Sequence, residues 1–113
     1  MSATKFGVLS AAIPAGGGTK TDAVQTGPNC IPVAVLTPAA MSGTAITFEV
    51  LVQGETTYQP LYNGSSVYTL TVAANRYVAL NPDVMLGVQD LKVVSGSSES
   101  AGVTFKVIQR PVR

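Results

Sequence analysis

Ala45-Ile46-Thr47-Phe48-Glu49-Val50-Leu51-Val52 is the stretch whose reading decides the fold. Ile46, Phe48, Val50 and Val52 recur at every second position, which in an extended chain places them all on one face. Thr47 and Glu49 face the other way, and Leu51 interrupts that polar side. A strand with one apolar face needs a second layer to cover it. Gln53-Gly54-Glu55 turns the chain into residues 56–62, and Asn63-Gly64 ends that run with the turn pair that most strongly favours a hairpin. Residues 66–72 return beside it, with Tyr68, Leu70 and Val72 alternating against Val67, Thr69 and Thr71. Asn75, a residue that tolerates the left-handed conformation, marks the next turn. Tyr77-Val78-Ala79-Leu80 follows as a fourth strand, so the local pattern predicts an antiparallel meander.

Outward from this centre, Thr4 to Ser10 predicts a first strand with Phe6 and Val8 inward. Pro14, Gly16, Gly17 and Gly18 predict a mobile loop, because consecutive glycines resist ordered backbone. Residues 19–25 suggest a short polar edge strand, and residues 26–29 a turn. Cys30-Ile31-Pro32-Val33-Ala34-Val35-Leu36 is apolar almost throughout, as expected of a strand covered on both faces or lying at an interface. Pro32 has no amide to donate, so it belongs at a strand start, an edge or a bulge. Beyond Leu80, Asn81 suits a helix cap, Pro82 a first helical position and Gly87 an exit. Residues 89–95 and 103–110 predict two further strands, the second with Val103, Phe105 and Val107 inward. The Gly- and Ser-rich run 96–102 between them predicts a flexible loop. Short strands at this spacing indicate one all-β domain over residues 1–113, an antiparallel β-sandwich or jelly roll of about eight strands.

Composition narrows the function. Charged residues are 12% of the chain, about half the usual share, so the surface repels neighbouring protein weakly. Seven basic residues are spread along the sequence without forming the stripe that phosphate binding requires, which argues against nucleic acid. No run approaches the roughly 20 apolar residues of a membrane helix. Lys5 and the apolar residues after it faintly resemble a secretory signal, but Gly7 and Ser10 break the run, and a first strand is the simpler reading. Cys30 is alone and is expected to be a small buried hydrophobe.

There is no histidine, which removes Ser-His and Cys-His nucleophile pairs. Six scattered acids give no evident carboxylate pair, and neither zinc ligands nor a cofactor motif is present. Calcium at Asp83 or Asp90 competes with the ordinary role of Asp in turns. The expectation is therefore a protein that is not an enzyme and carries no metal or cofactor. Asn63-Gly64-Ser65 matches a glycosylation sequon, but its turn chemistry explains it.

Residues 37–50 resemble the "PAAW-x-G-x-x-[LI]-T-F-x-[VA]" stretch of small virion proteins of tailed bacteriophages. Thr71 to Pro82 is similar to "TVAA-x-R-[YF]-[IV]-AL-[DN]-P" of the same group, and Gly87 to Gly96 to its "G-V-x-x-[LI]-[RK]-[VL]-x-SG". The resemblance runs from about Cys30 to the C-terminus. It departs at Met41 and Tyr58, where Trp is common, at Gln53-Gly54-Glu55, and at Asn75, where Gly is common. It implies a jelly-roll virion component, most directly a capsid decoration (cement) protein made in the host bacterial cytoplasm and seated on the capsid surface. Its partner would then be the major capsid protein, with self-association as a further option. The contact candidates are the two loops, through Pro14, Gly16, Gly17, Gly18, Ser97, Ser98 and Glu99. A tail or neck position is the first alternative. A carbohydrate-binding module of a tail or fibre, using Tyr58 and Tyr62, is the second, since tyrosine joins an apolar ring to a polar tip.

Overall fold

Ile46 and Phe48 point inward as their spacing requires, each no more than 1% exposed. The computed structural model describes residues 7–16, 18–27 and 29–111. Residues 4–6 of the expected first strand, Gly17 and Pro28 lie outside the described residues. The described chain is all-β apart from one helical turn. Its strands are β1 (Gly7–Ile13), β2 (Val24–Gln25), β3 (Cys30–Leu36), β4 (Ala45–Val50), β5 (Gln59–Pro60) and β6 (Tyr62–Asn63). They continue with β7 (Ser66–Val67), β8 (Leu70–Thr71), β9 (Tyr77–Ala79), β10 (Asp90–Ser95) and β11 (Val103–Pro111). The helix α1 (Pro82–Met85) lies between β9 and β10.

A four-stranded sheet has the order β1-β11-β3-β9, and a second sheet the order β2-β10-β4-β5 with β8 also paired to β4. The pairings are nested: β1 with β11, β2 with β10, β3 with β9 and β4 with β8, all antiparallel. Strands β5 to β7 sit at the tip of this nest, where the chain turns back. Ala11, Val35, Phe105 and Val107 of the first sheet meet Ile46, Phe48, Leu91 and Val93 of the second in one hydrophobic cluster. A side chain of this kind contributes about 1.5–3 kcal/mol when fully buried, so this shared core holds the layers together. No helix among the described residues is long and apolar enough to cross a membrane.

Several local expectations hold. Asn81 caps α1 by accepting from the Asp83 amide at 2.9 Å, with Pro82 at the first position. Asn75 is left-handed at φ 60°. Pro32 lies beside a bulge, because the β11–β3 register slips between Ile108 and Gln109. Tyr68 stacks on Phe48 with ring centroids 6.1 Å apart, so it belongs to the core.

Other expectations need correction. The meander fails at its last strand: β9 leaves β8 and pairs with β3 in the opposite sheet. Residues 56–72 form four two-residue strands rather than two longer ones. Pro60 has no amide to donate, and Leu61 donates to the Phe48 carbonyl while accepting from the Tyr68 amide, which splits the run between two pairings. The hairpin turn is one residue later than expected, with Gly64-Ser65 between the paired Asn63 and Ser66 and Gly64 at φ 70°. β4 ends at Val50, so Val52 is 62% exposed at a turn closed by Glu55. In β1 the phase is reversed: Ala11 and Ile13 are buried, and Val8 is 59% exposed.

Candidate functional site

The two loops expected to be mobile are tied to one another. Gly16 donates to the Ser100 carbonyl at 3.0 Å, Gly18 to the Ser98 hydroxyl at 3.1 Å, and Glu99 to the Gly18 carbonyl at 2.9 Å. Glu99 is the residue that organises this region. It is only 2% exposed, and its carboxylate accepts from the Ser42 amide at 2.7 Å, the Gly43 amide at 2.8 Å and the Ser95 hydroxyl at 2.8 Å. Burial raises its pKa, but these three hydrogen bonds together outweigh that effect and hold it below the usual carboxylate value. A Cβ on Gly43 would collide with the Ser95 hydroxyl, so only glycine lets the backbone approach this closely. Glu99 is thus an internal anchor, which corrects its expected place on a docking surface. Pro14, Gly16, Gly18, Ser97 and Ser98 remain exposed around it.

On the second sheet, charged groups come in partnered sets. Lys20 pairs with Glu49 at 2.8 Å, and Lys92 is the cross-strand partner of Glu49. Lys92 also lies 4.4 Å above the centre of the Tyr58 ring. The Tyr58 hydroxyl donates to Asp90 at 2.5 Å, and Gln25 donates to the other Asp90 oxygen at 3.0 Å. The hydrogen bond to Asp90, with burial and the Asp90 charge behind it, pushes the Tyr58 pKa up to about 12. A polar groove of about 480 Å³ runs beside this set, past Gln25, Gln53, Gln89 and Asp90. Its lone carboxylate already has both oxygens occupied, and among the described residues no three acidic, Cys or His side chains converge as a metal site would require. Tyr62 is 53% exposed on β6, away from this hydrogen-bonded set.

The outer face of the four-stranded sheet is different. Its strands contain Lys106 and Arg110 and no acid. Register places Val8, Ile108, Ala34 and Ala79 in one apolar row across all four strands, with Val8 and Ala79 exposed at its ends and Ile108 and Ala34 buried between them. An apolar groove of about 440 Å³ crosses it between Ile31, Val33, Tyr77, Ala79 and Arg110. A second groove of about 470 Å³ lies along the other side of β9, between Thr71–Ala73 and Arg76–Ala79. Tyr77, 61% exposed, borders both.

β9 is an edge strand. Thr37 donates to the Arg76 carbonyl and Leu80 to the Val33 carbonyl, so Arg76, Val78 and Leu80 turn their backbone groups toward β3. By alternation Tyr77 and Ala79 turn theirs outward, where no described group meets them. Sequence reasoning missed this pairing, because it made the strand the last of a meander, beside the run that ends at Val72. No family model, curated protein or solved structure matches the chain.

Proposed function

We propose that this chain is a non-enzymatic structural protein of a tailed-phage virion, a decoration protein that docks on the capsid shell and braces it by binding the major capsid protein. The observation that carries docking is the outer face of the four-stranded sheet, apolar and cationic, with no acid in its strands. An apolar sheet face with no acid in its strands gains from a complementary partner. The virion assignment is supported by the motif-bearing stretches 37–50, 71–82 and 87–96. The nested pairing of β1–β11, β2–β10, β3–β9 and β4–β8 supports the jelly-roll reading, in which eight principal strands wrap as one long hairpin and β5 to β7 elaborate its tip.

Repeated copies would add stability to a shell by mass action, each through an interface on the order of 1,000 Å². The test is cosedimentation of the purified chain with emptied capsids, together with heat challenge of virions that lack it. Saturable binding and earlier heat release from the deficient virions are expected; no binding and normal heat resistance would end the decoration reading. The carbohydrate alternative loses ground at Tyr58, whose hydroxyl is bound to Asp90 and whose ring carries Lys92. A glycan array showing selective binding abolished by Tyr62→Ala would restore it.

A further inference from the structure

We infer that the open edge of β9 takes an extended, acidic segment of a partner polypeptide by β-strand addition. The inference deepens the docking reading and rests on it. Three features converge on Tyr77–Ala79. The Tyr77 and Ala79 backbone groups face outward without partners among the described residues. They are the donors and acceptors that an added strand requires. Grooves run along both sides of the strand, so side chains alternating from an added strand would find space on either face. Finally, Arg76 borders the groove between β9 and Thr71–Ala73, and neither groove is lined by an acid.

That charge pattern selects the occupant. An extended segment alternating acidic and apolar residues complements Arg76 and the apolar side chain of Ala79. A second copy of this chain pairing through its own β9 would bring arginines to both sides of the new junction, which disfavours it. The opposite sheet edge, β1, offers a contrast. Asp22 closes its outer side by accepting from the Ala12 amide at 2.9 Å and donating its own amide to the Ala12 carbonyl. An acidic strand arriving there would meet a like charge. β9 has no such closure and no proline, lysine or bulge of its own to discourage pairing.

The test uses Ala79→Pro. Its outward amide is not used in pairing with β3, so proline removes an edge donor at a position where edge strands tolerate it. Two probes are applied: emptied capsids, and a short synthetic peptide alternating glutamate and valine, with a lysine–valine peptide as control. Amide exchange at Tyr77 and Ala79 is followed by NMR, and unchanged melting confirms that the variant folds. The acidic peptide is expected to slow exchange at Tyr77 and Ala79 and the lysine peptide to leave it unaltered. Ala79→Pro and Arg76→Glu are each expected to weaken acidic-peptide and capsid binding at least about tenfold. Capsid binding that survives Ala79→Pro at full strength would overturn the edge proposal and leave docking standing elsewhere. A native chain that ignores capsids would remove the docking reading, while the peptide exchange data would still judge the edge. Equal protection by both peptides, none by either, or protection that grows with protein concentration alone would each overturn the acidic-strand assignment. If Ala79→Pro melts early, Arg76→Glu answers the same question from the charge side.

Discussion

Residues 95–102 and the strand β9 invert what their sequences suggest. The loop is rich in Gly and Ser, yet Glu99 at its centre has three donors on its carboxylate, and Gly96 and Gly102 donate to the Ala45 and Glu99 carbonyls. β9 reads as regular strand, yet Tyr77 and Ala79 turn their backbone groups to an open edge. The difference lies in where the partners come from. A loop becomes rigid when one buried charge gathers amides from distant segments, whatever its own composition. A strand becomes adhesive when the fold places it last in a sheet, however well it is formed. The proposed docking is therefore to be tested first at β9 and then at the glycine loops.

Glu99 offers the strongest way to break this contrast. Glu99→Ala leaves the Gly43 amide and the Ser95 hydroxyl buried without their carboxylate partner, and is expected to cost about 3–4 kcal/mol in urea unfolding. If the cost is below about 1 kcal/mol, the loop is not anchored and the contrast collapses. The same carboxylate makes stability depend on acid. Its folded-state pKa is lowered, so its contribution is complete above the unfolded carboxylate value and is lost as pH falls through the folded value. Native protein is expected to lose stability in that acidic window, and Glu99→Gln to start lower and fall less steeply.

Thr37 sharpens the contrast from the side of β9. Its buried hydroxyl accepts from the Arg76 amide at 2.7 Å and donates to the Ala73 carbonyl at 2.7 Å, clamping the turn that delivers the edge strand. Thr37→Val keeps the shape and removes both bonds, with an expected loss of about 1–3 kcal/mol. Exchange at the Val78 amide should quicken, whereas amides around Glu99 should not change beyond the global loss. Equal quickening in both regions would show that the two form one cooperative unit.

Much of this fold is legible because it is local. Alternation finds the inward face of β4 at Ile46 and Phe48, and the special residues Asn75, Asn81 and Pro82 declare their turns and cap. Pairing choices are harder. Both faces of Tyr77-Val78-Ala79-Leu80 are largely apolar, so alternation cannot say which sheet the strand joins. Gly7–Ile13 has small or apolar residues at both parities, which is why Val8 and Ala11 exchange faces. The Glu99 anchor is invisible for another reason: its acceptor atoms meet Gly43, 56 positions away, and nothing near Glu99 announces that contact. An acid inside a Gly/Ser run, facing a distant Ser-Gly pair, is the only sequence signal there was. The open edge of β9 follows from topology, and so became readable only once its neighbour was known to be β3.

Asp90 provides the smallest and most selective comparison, because it resembles Glu99 in bonding but not in place. Each of its oxygens has a partner, Tyr58 or Gln25, yet the set lies at the surface of the second sheet. Water replaces such bonds cheaply, so Asp90→Asn is expected to change stability by less than about 1 kcal/mol. Its effect should appear instead in the phenolic titration. Tyr58 is held up to about 12 chiefly by its hydrogen bond to Asp90, and removing that charge should return it toward the ordinary tyrosine value. Absorbance near the phenolate band would then show the Tyr58 phenol ionising at lower pH than in the native chain. A raised pKa in a phenol stabilises the fold below the unfolded value and loses that contribution as pH climbs through the folded one. Stability should accordingly fall less steeply with rising alkaline pH in Asp90→Asn than in the native chain. If instead this substitution destabilised the neutral protein as much as Glu99→Ala, burial would not be what separates the two carboxylates, and the rigidity of the Glu99 loop would need another cause.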